Sequence, residues 1–262
     1  MLFFFFRKCA KIHGNIATQE RRESMHCFFA ERTGPDTAVL SKEESTHALR
    51  VLRMNAGDAC QAILEGELYA AQIQEAKEPV TLFLGDKLPT TEAAVRITLY
   101  QGLPKGDKME FILQKCTEIG VHRFVPVLFS RCVVKWDKKD NEKKLPRWQR
   151  IVQEAAKQSG RAAVPEVEAP ITLKELFSRV KSHGQVLVPW EEEKGNGIRK
   201  KWLGTQDVAI VIGPEGGMDE KEVTALQEMG AAAVTLGPRI LRTETAGMAA
   251  AVSLLTLSGD ME

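Results

Sequence analysis

From Val95 onward, short apolar segments alternate with longer segments in which apolar residues recur at helical spacing. The short segments are almost continuously apolar, which is typical of strands that a parallel sheet buries on both faces. Parallel strands need a long crossover between them, and a helix is the usual crossover. This alternation therefore predicts an α/β domain built on a parallel sheet.

The elements predicted for this domain follow from the same pattern. We expect strands at 95–103, 123–129, 184–190, 208–213 and 232–237. We expect helices at 107–120, 145–160, 219–230 and 245–259. In the first helix, one face carries Met109, Ile112, Leu113 and Cys116, and this face is predicted to be buried.

The segment from Met25 to about Leu88 has a different texture, with short strand patterns separated by turn-forming residues. One segment, 42–54, has helical spacing instead. It places Leu49 and Leu52 inward, with Val51 as a further candidate. Several short strands with one helix predict a small β-barrel. The predicted organisation is an extension at 1–24, a barrel domain at 25–92, with a linker at 87–94, and an α/β domain at 93–262.

Composition excludes several classes of protein. The chain has 44% hydrophobic and 27% charged residues, as ordinary globular domains do. Its five cysteines are scattered and never form a C-x-x-C pair, which argues against a disulfide framework or a zinc site and fits a reducing cytosol. No apolar run approaches the ~20 residues of a membrane span. We therefore predict a cytoplasmic protein without a metal or a membrane anchor.

The formal net charge of +1 conceals a basic block at 131–161, with ten Lys and Arg against four Asp and Glu. Such a block can contact a polyanion, because phosphate contacts release counterions. It can equally be a solvated helix face, and on charge alone this second interpretation is favoured. Lys138, Lys139, Lys143 and Lys144 are interpreted as part of a hydrophilic loop.

Two glycine-rich turns follow predicted strands of the α/β domain, and each begins with Gly-Pro. The first, at 213–217, precedes a helix for which Asp219 and Glu222 have capping-box spacing. The second begins at Gly237. Ligands of open α/β sheets bind outside the carboxyl ends of the strands, where such turns lie. Two tight turns without any ligand are the alternative.

The first turn carries Glu215 and neither Lys nor Arg, which is unsuitable for phosphate. The chain also has neither the dinucleotide-binding nor the P-loop glycine pattern. A ligand with hydroxyl groups and a cationic or neutral body fits better, and an adenosine with a sulfonium centre has those properties.

Five motifs together resemble one family. They are VAIVIGPEGGMDEKEV, LGPRILRTETA, LQKCTEIGV, RWQRIVQEAAKQSGR and THALRVLRMNAGD. They resemble, in collinear order from Met25 to the C-terminus, the RsmE-type 16S ribosomal RNA (uridine-N3) methyltransferases of the SPOUT superfamily. The resemblance implies a trefoil-knotted SPOUT domain, a PUA-like RNA-binding barrel, a homodimer and the cofactor S-adenosylmethionine.

The resemblance also implies site residues. Cofactor binding is expected from Leu187, Val188, Pro189, Ile212, Gly213, Pro214, Glu215, Gly216, Gly217, Leu236, Gly237, Pro238, Ile240, Leu241, Thr245 and Ala246. RNA binding is expected from basic or polar residues in the family motifs, namely Arg50, Arg53, Lys105, Lys108, Arg131, Gln158 and Arg161.

Methylation at uracil N3 requires loss of the N3 proton, and the resulting charge spreads onto O2 and O4. Arg242 is the first candidate to stabilise that charge, because its guanidinium is permanently charged. Glu244 either accepts the proton or orients Arg242, and Arg239 ranks behind Arg242. Both main candidates also have non-catalytic interpretations. A glutamate near a helix N-terminus is favoured by the helix dipole, and Arg242 could form a structural ion pair.

Three classes of function stay open on the sequence. The first is an RNA methyltransferase, with this or another RNA target. The second is a non-catalytic RNA-binding protein, which has no need for two glycine-rich turns. The third is an α/β enzyme of another class, which needs a phosphate-binding loop or an acidic cluster that the sequence lacks.

Overall fold

A computed structural model describes residues 26–261, so the extension predicted at 1–24 lies outside the described residues. The N-terminal part is a closed barrel of five strands, in the order β1-β2-β5-β4-β3. The parallel pairing of β1 with β3 closes it, and Phe28, Leu40 and Leu82 are among the side chains buried in its interior. The strands are β1 (Cys27–Gly34), β2 (Thr37–Leu40), β3 (Ala59–Leu64), β4 (Glu67–Glu75) and β5 (Thr81–Lys87). The predicted barrel is confirmed.

The helical segment of the barrel has an unexpected register. A short helix α1 (Lys42–Thr46) continues into a π-helical turn, His47–Val51, in which Leu52 donates to the carbonyl of His47. This five-residue hydrogen bond rotates the side chains that follow away from ordinary helical spacing. Ala48 is buried as a result, whereas Val51 is 64% exposed. The inward orientation considered for Val51 is therefore wrong.

The C-terminal part contains the predicted parallel sheet, in the order β12-β10-β11-β6-β7-β8, with β9 also paired to β7. Every recorded pairing in it is parallel. The strands are β6 (Arg96–Gly102), β7 (Arg123–Leu128), β8 (Glu166–Val167), β9 (Ile171–Thr172), β10 (Gln185–Pro189), β11 (Asp207–Ile212) and β12 (Ala232–Val234). The two-residue strands β8 and β9 are too short to be recognised from sequence periodicity.

Helices cover both faces of this sheet and bury a separate apolar core on each. The helices are α2 (Lys108–Ile119), α3 (Lys138–Ser159), α4 (Leu173–Arg179), α5 (Ile198–Lys201), α6 (Glu220–Glu228) and α7 (Thr243–Ser258). One core includes α2, α3, α5 and α7, and the other includes α4 and α6. The predicted apolar face of α2 is buried. The short helices α4 and α5 had not been predicted.

Helix α3 begins at Lys138, seven residues earlier than predicted. The side chain of Asp137 accepts hydrogen bonds from the backbone N–H groups of Lys139 and Asp140, and Asp140 reciprocates, which stabilises the early start. The helix continues through Pro146, a residue that usually begins or interrupts a helix. The segment interpreted as a hydrophilic lysine-rich loop is therefore helical.

The barrel is attached to the sheet domain by polar contacts at 91–92. Arg161 donates to the Glu92 carboxylate at 2.5 Å, and Thr91 donates to the carbonyl of Gly160 at 2.9 Å. Lys157 of α3 also pairs with Glu44 of the barrel. The predicted linker is thus held against the sheet domain. Within residues 26–261, no helix has both the length and the apolar character needed to cross a membrane.

Candidate active site

Three turns meet at one edge of the sheet, because β12, β10 and β11 are neighbouring parallel strands. They are the segment after Pro189, the turn at 213–217 and the turn at 235–242. Two adjacent cavities lie between them, of about 540 and 380 Å³. The two cavities share the lining residues Pro189, Glu191, Ile240, Leu241 and Ala246. We call the two together the crevice.

The turn after β11 crosses directly over the end of β6. A Cβ atom at position 102 would lie 2.6 Å from the carbonyl carbon of Gly213 and closer still to the nitrogen of Pro214. Real Cβ atoms do not approach backbone this closely, so only glycine fits at position 102. This close approach brings the turn at 213–217 to the crevice.

A buried hydrogen-bond chain joins the two glycine-rich turns. Gln101 donates through Nε2 to Thr243 Oγ1 at 2.8 Å, and the Thr243 hydroxyl donates to the carbonyl of Gly213 at 2.6 Å. Both side chains are buried. The sequence analysis missed both residues. The available signal was a glutamine inside an otherwise apolar strand, since a buried polar group needs partners.

Glu222 and Arg131 support the back of the first turn. Glu222 accepts from the backbone N–H groups of Asp219 and Ser130. The Arg131 guanidinium lies 3.1 Å from the Asp219 carboxylate and 3.3 Å from the carbonyl of Gly216. Hydrogen bonding from the N–H of Lys221, and then the Arg131 guanidinium, lower the pKa of Asp219 below its ordinary value. Arg131 thus stabilises the turn, and its side chain stays 48% exposed, so its predicted contact with RNA stays a prediction.

A lysine and two carboxylates form one wall of the smaller cavity. Lys108 Nζ lies 3.1 Å from Glu215 Oε1 and 3.5 Å from Glu244 Oε2. The hydrogen bond to Glu215 raises the pKa of Lys108. Burial opposes ionisation of Glu215, but hydrogen bonds from the backbone N–H of Lys105 and from Lys108 keep its pKa below the ordinary value. The Oε2 atom of Glu244 is buried and has no hydrogen-bond donor within residues 26–261.

Arg242 lies next to this wall but is not part of it. It is the N-cap residue of α7, it is exposed, and it lines the smaller cavity. Its guanidinium forms no ion pair with any carboxylate in the described part of the chain. The structural ion pair considered for Arg242 is therefore absent from residues 26–261. Glu244 contacts Lys108 instead, so the expectation that it orients Arg242 is wrong. Arg239 is exposed on the larger cavity.

Most of the predicted cofactor residues line the crevice. These are Pro189, Ile212, Gly213, Pro214, Glu215, Gly217, Leu236, Gly237, Pro238, Ile240, Leu241 and Ala246. Four others do not line either cavity. Leu187 and Val188 are fully buried inside β10 with their side chains in the two cores. Gly216 packs against Arg131, and Thr245 is an exposed residue of α7.

The predicted RNA-binding residues differ in how far they are exposed. Arg161 is only 4% exposed, and its guanidinium is used by Glu92 and by the carbonyls of Thr117 and Val121. Its predicted contact with RNA is therefore wrong. Arg50, Arg53 and Lys105 are exposed, as is Gln158, which lines a cavity of about 520 Å³ between the barrel and α3. Lys108 belongs to the crevice.

Residues that the sequence analysis did not single out also shape the crevice. Glu191 lines both cavities, and a Cβ on Gly217 would lie 2.6 Å from its Oε1 atom. Glu193 and Lys194 line the larger cavity, beside Trp190 at the end of the predicted strand 184–190. No group of three or more potential metal ligands occurs among the described residues.

Comparison with known proteins decides the family. The model of an RNA methyltransferase domain matches residues 91–255, and the model of an RNA methyltransferase PUA domain matches residues 40–84. Ribosomal RNA small subunit methyltransferase E of Bacillus subtilis is 38% identical over 238 residues, which cover 86% of this chain and 93% of that relative. The chain belongs to the ribosomal RNA small subunit methyltransferase E family.

Other members of the methyltransferase E family agree in length and structure. The Aquifex aeolicus relative is 33% identical, with 85% of this chain and 95% of that relative covered. A crystal structure of the Neisseria gonorrhoeae enzyme, bound to S-adenosyl methionine, superposes with a TM-score of 0.78 at 32% identity. That match covers 89% of this chain and 98% of the other. The barrel and the parallel sheet are therefore the fold of this family.

Proposed function

We propose that this protein transfers a methyl group from S-adenosylmethionine to N3 of a uridine in the 16S RNA of the small ribosomal subunit. One observation carries the proposal: both glycine-rich turns, Arg242 and Glu244 meet at a single crevice at the carboxyl edge of the sheet. The names of the relatives and the S-adenosyl methionine in the Neisseria gonorrhoeae structure support the same conclusion.

The residues of the crevice fit this cofactor. Pro189, Trp190, Leu236 and Leu241 offer apolar walls for an adenosine. Gly217 and Gly237 have φ values of +70° and +107°, which allow backbone to approach a ligand closely. Carboxylates of Glu191, Glu215 and Glu244 suit hydroxyl groups and a positive charge. When bound, S-adenosylmethionine supplies an electrophilic methyl group on a sulfonium centre.

Arg242 and Glu244 have complementary tasks toward the uracil. As the N3–H bond gives up its proton, negative charge develops on O2 and O4, and the unpaired guanidinium of Arg242 is available to stabilise it. The Glu244 carboxylate, which lines the smaller cavity, accepts the proton. Arg239, on the larger cavity, is a second-rank candidate for the same charge stabilisation.

RNA binding is assigned to exposed residues on two parts of the chain. Arg50, Arg53, Lys105 and Gln158 are exposed, and the basic face of α3 adds sequence-independent attraction to phosphates. We further propose a cytoplasmic homodimer, as the family resemblance implies. Ile240, a large apolar side chain that is 87% exposed at the crevice, supports coverage of this edge by a second copy.

Calorimetric titration with S-adenosylhomocysteine tests the cofactor assignment. Well-folded protein that shows no binding would eliminate the methyltransferase proposal and favour a non-catalytic RNA-binding protein. If binding occurs, incubation with small subunits and S-adenosylmethionine, followed by nucleoside mass spectrometry, tests the product. A methylated nucleoside other than 3-methyluridine would leave the enzyme class intact and overturn the target.

A further inference from the structure

Lys108 lies between the first glycine-rich turn and helix α7. It is the first residue of α2, and the buried apolar face of that helix fixes the position of its backbone. Its ammonium contacts Glu215 in the turn at 3.1 Å and Glu244 in the first turn of α7 at 3.5 Å. The Lys108 side chain is 34% exposed, so it is partly enclosed by the two carboxylates.

The Glu244 carboxylate is mostly buried and is stabilised by a nearby positive charge. Its side chain is only 16% exposed, and the buried Oε2 atom has no hydrogen-bond donor among the described residues. A carboxylate in such a place carries a desolvation cost unless a cation lies nearby. The charged groups that line the same cavity are Lys108, Glu191, Glu215 and Arg242, and of these the ammonium of Lys108 is the cation recorded against Glu244.

We propose that Lys108 is a positioning residue for the proton acceptor rather than an RNA contact. It holds the Glu244 carboxylate at the cavity wall and ties it to Glu215, so that the cofactor turn and the proton acceptor keep a fixed separation. This inference rests on the proposed function, in which Glu244 takes the N3 proton. It assigns no contact between Lys108 and substrate.

The chemistry of lysine suits this task. At 3.5 Å from Oε2 the ammonium attracts the carboxylate without occupying it in a short hydrogen bond. Because Glu215 raises its pKa, Lys108 stays protonated at neutral pH and cannot itself remove the N3 proton. Misplacement of a reacting group by about 1 Å can cost on the order of a hundredfold in rate. Loss of Lys108 is therefore expected to act on turnover through the position of Glu244.

The test compares Lys108→Met and Lys108→Arg with wild type, with Glu244→Gln and with the double variant. Lys115→Met is the matched control. Lys115 lies on the same helix and its ammonium is 2.8 Å from the Glu118 carboxylate, and neither residue lines the crevice. We expect Lys108→Met to lower kcat by about ten- to a hundredfold, with KM for RNA changed less than about threefold. Lys108→Arg restores most of the rate. In the Glu244→Gln background, Lys108→Met lowers kcat little further, because Lys108 acts on the rate only through the Glu244 carboxylate.

Three results would overturn the inference. They are a rise in KM for RNA that accounts for the loss, a full additional loss in the Glu244→Gln background, and a crystal structure of Lys108→Met in which the Glu244 carboxylate keeps its place. The crystal structure decides the matter independently of activity. If wild-type protein fails to bind cofactor or to methylate RNA, it is the proposed function that fails, and the displacement of Glu244 still tests the contact.

Discussion

Thr243 donates a 2.6 Å hydrogen bond to the carbonyl of Gly213, and this bond joins the first turn of α7 to the turn after β11. Thr243 in turn accepts from Gln101 at the end of β6. These two hydrogen bonds therefore connect β6, α7 and the turn after β11 at the edge of the crevice. Neither Gln101 nor Thr243 lines the larger cavity. The geometry of the proposed cofactor site depends on these two hydrogen bonds.

Replacement of Thr243 by Val is expected to lower the free energy of unfolding by about 1–3 kcal/mol, because two buried partners lose their hydrogen bonds. It is also expected to weaken S-adenosylhomocysteine binding. Urea denaturation and calorimetry measure the two effects. Thr256→Val, at an exposed position of the same helix, is the control. An unchanged Kd of Thr243→Val for S-adenosylhomocysteine would show that these hydrogen bonds do not support the cofactor turn.

Replacement of Gly102 by Ala forces a methyl group into the backbone of Gly213 and Pro214. We expect a loss of about 1–3 kcal/mol in stability, as for other overpacked sites, together with a displaced turn and weaker cofactor binding. Thermal unfolding provides the measurement. At Gly197 the nearest atom to an added Cβ is 4.0 Å away, so Gly197→Ala should be tolerated. Equal stability of the two variants contradicts the close approach.

Replacement of Arg242 by Ala is expected to reduce methyl transfer by about a hundred- to a thousandfold while cofactor affinity is retained. The reason is that its guanidinium lines the cavity and pairs with no carboxylate among residues 26–261. Single-turnover transfer of radioactive methyl groups measures the rate. Arg199→Ala, in an exposed position of α5, controls for loss of positive charge. Near-normal transfer by Arg242→Ala refutes the assigned role.

Replacement of Arg161 by Met tests the correction of its role. With Arg161 gone, Glu92 loses its ion pair and two carbonyls lose their donor, so we expect about 3–5 kcal/mol of destabilisation. Arg50→Met, at an exposed position, should leave stability almost unchanged. Urea denaturation distinguishes them. A stable Arg161→Met protein with weakened RNA binding would restore the original prediction.

The free energy of unfolding should also depend on pH through the ionisation of Asp219. Its folded-state pKa is lowered by the N–H of Lys221 and by Arg131, so the stabilisation is fully present above the unfolded value of about 3.9 and is lost as pH falls through the folded value. The stability difference between wild type and Asp219→Asn should therefore shrink as pH falls below about 4. Urea titrations from pH 7 to 3 measure it. A difference that stays constant over this range contradicts the pairing.

The sequence predicted the parallel sheet and the barrel because both depend on local apolar patterns. It also placed both Gly-Pro turns at the carboxyl ends of strands in that sheet. It did not give the strand order, in which β10 lies between the two strands that precede these turns. It could not predict that α3 continues through Pro146, since the Asp137 capping box and tertiary packing outweigh a local preference. The carboxylate partners of Lys108, Arg131 and Arg161 were missed for a common reason. A basic residue has the same appearance in a sequence whether its partner is RNA or a carboxylate more than fifty positions away.

The contacts of Arg161, Thr91 and Lys157 have a consequence for how an RNA can be handled. Lys157 joins the barrel to α3, and Arg161 and Thr91 join the segment at 91–92 to the end of α3. Relative motion is otherwise the default for two domains in one chain. We expect these contacts to limit movement of the barrel against the sheet domain. An RNA that touches both the barrel and the crevice is then expected to supply much of the bending itself, and unstacking of its target base adds to that cost. We therefore expect the protein to favour RNA that deforms readily as well as RNA of a suitable sequence.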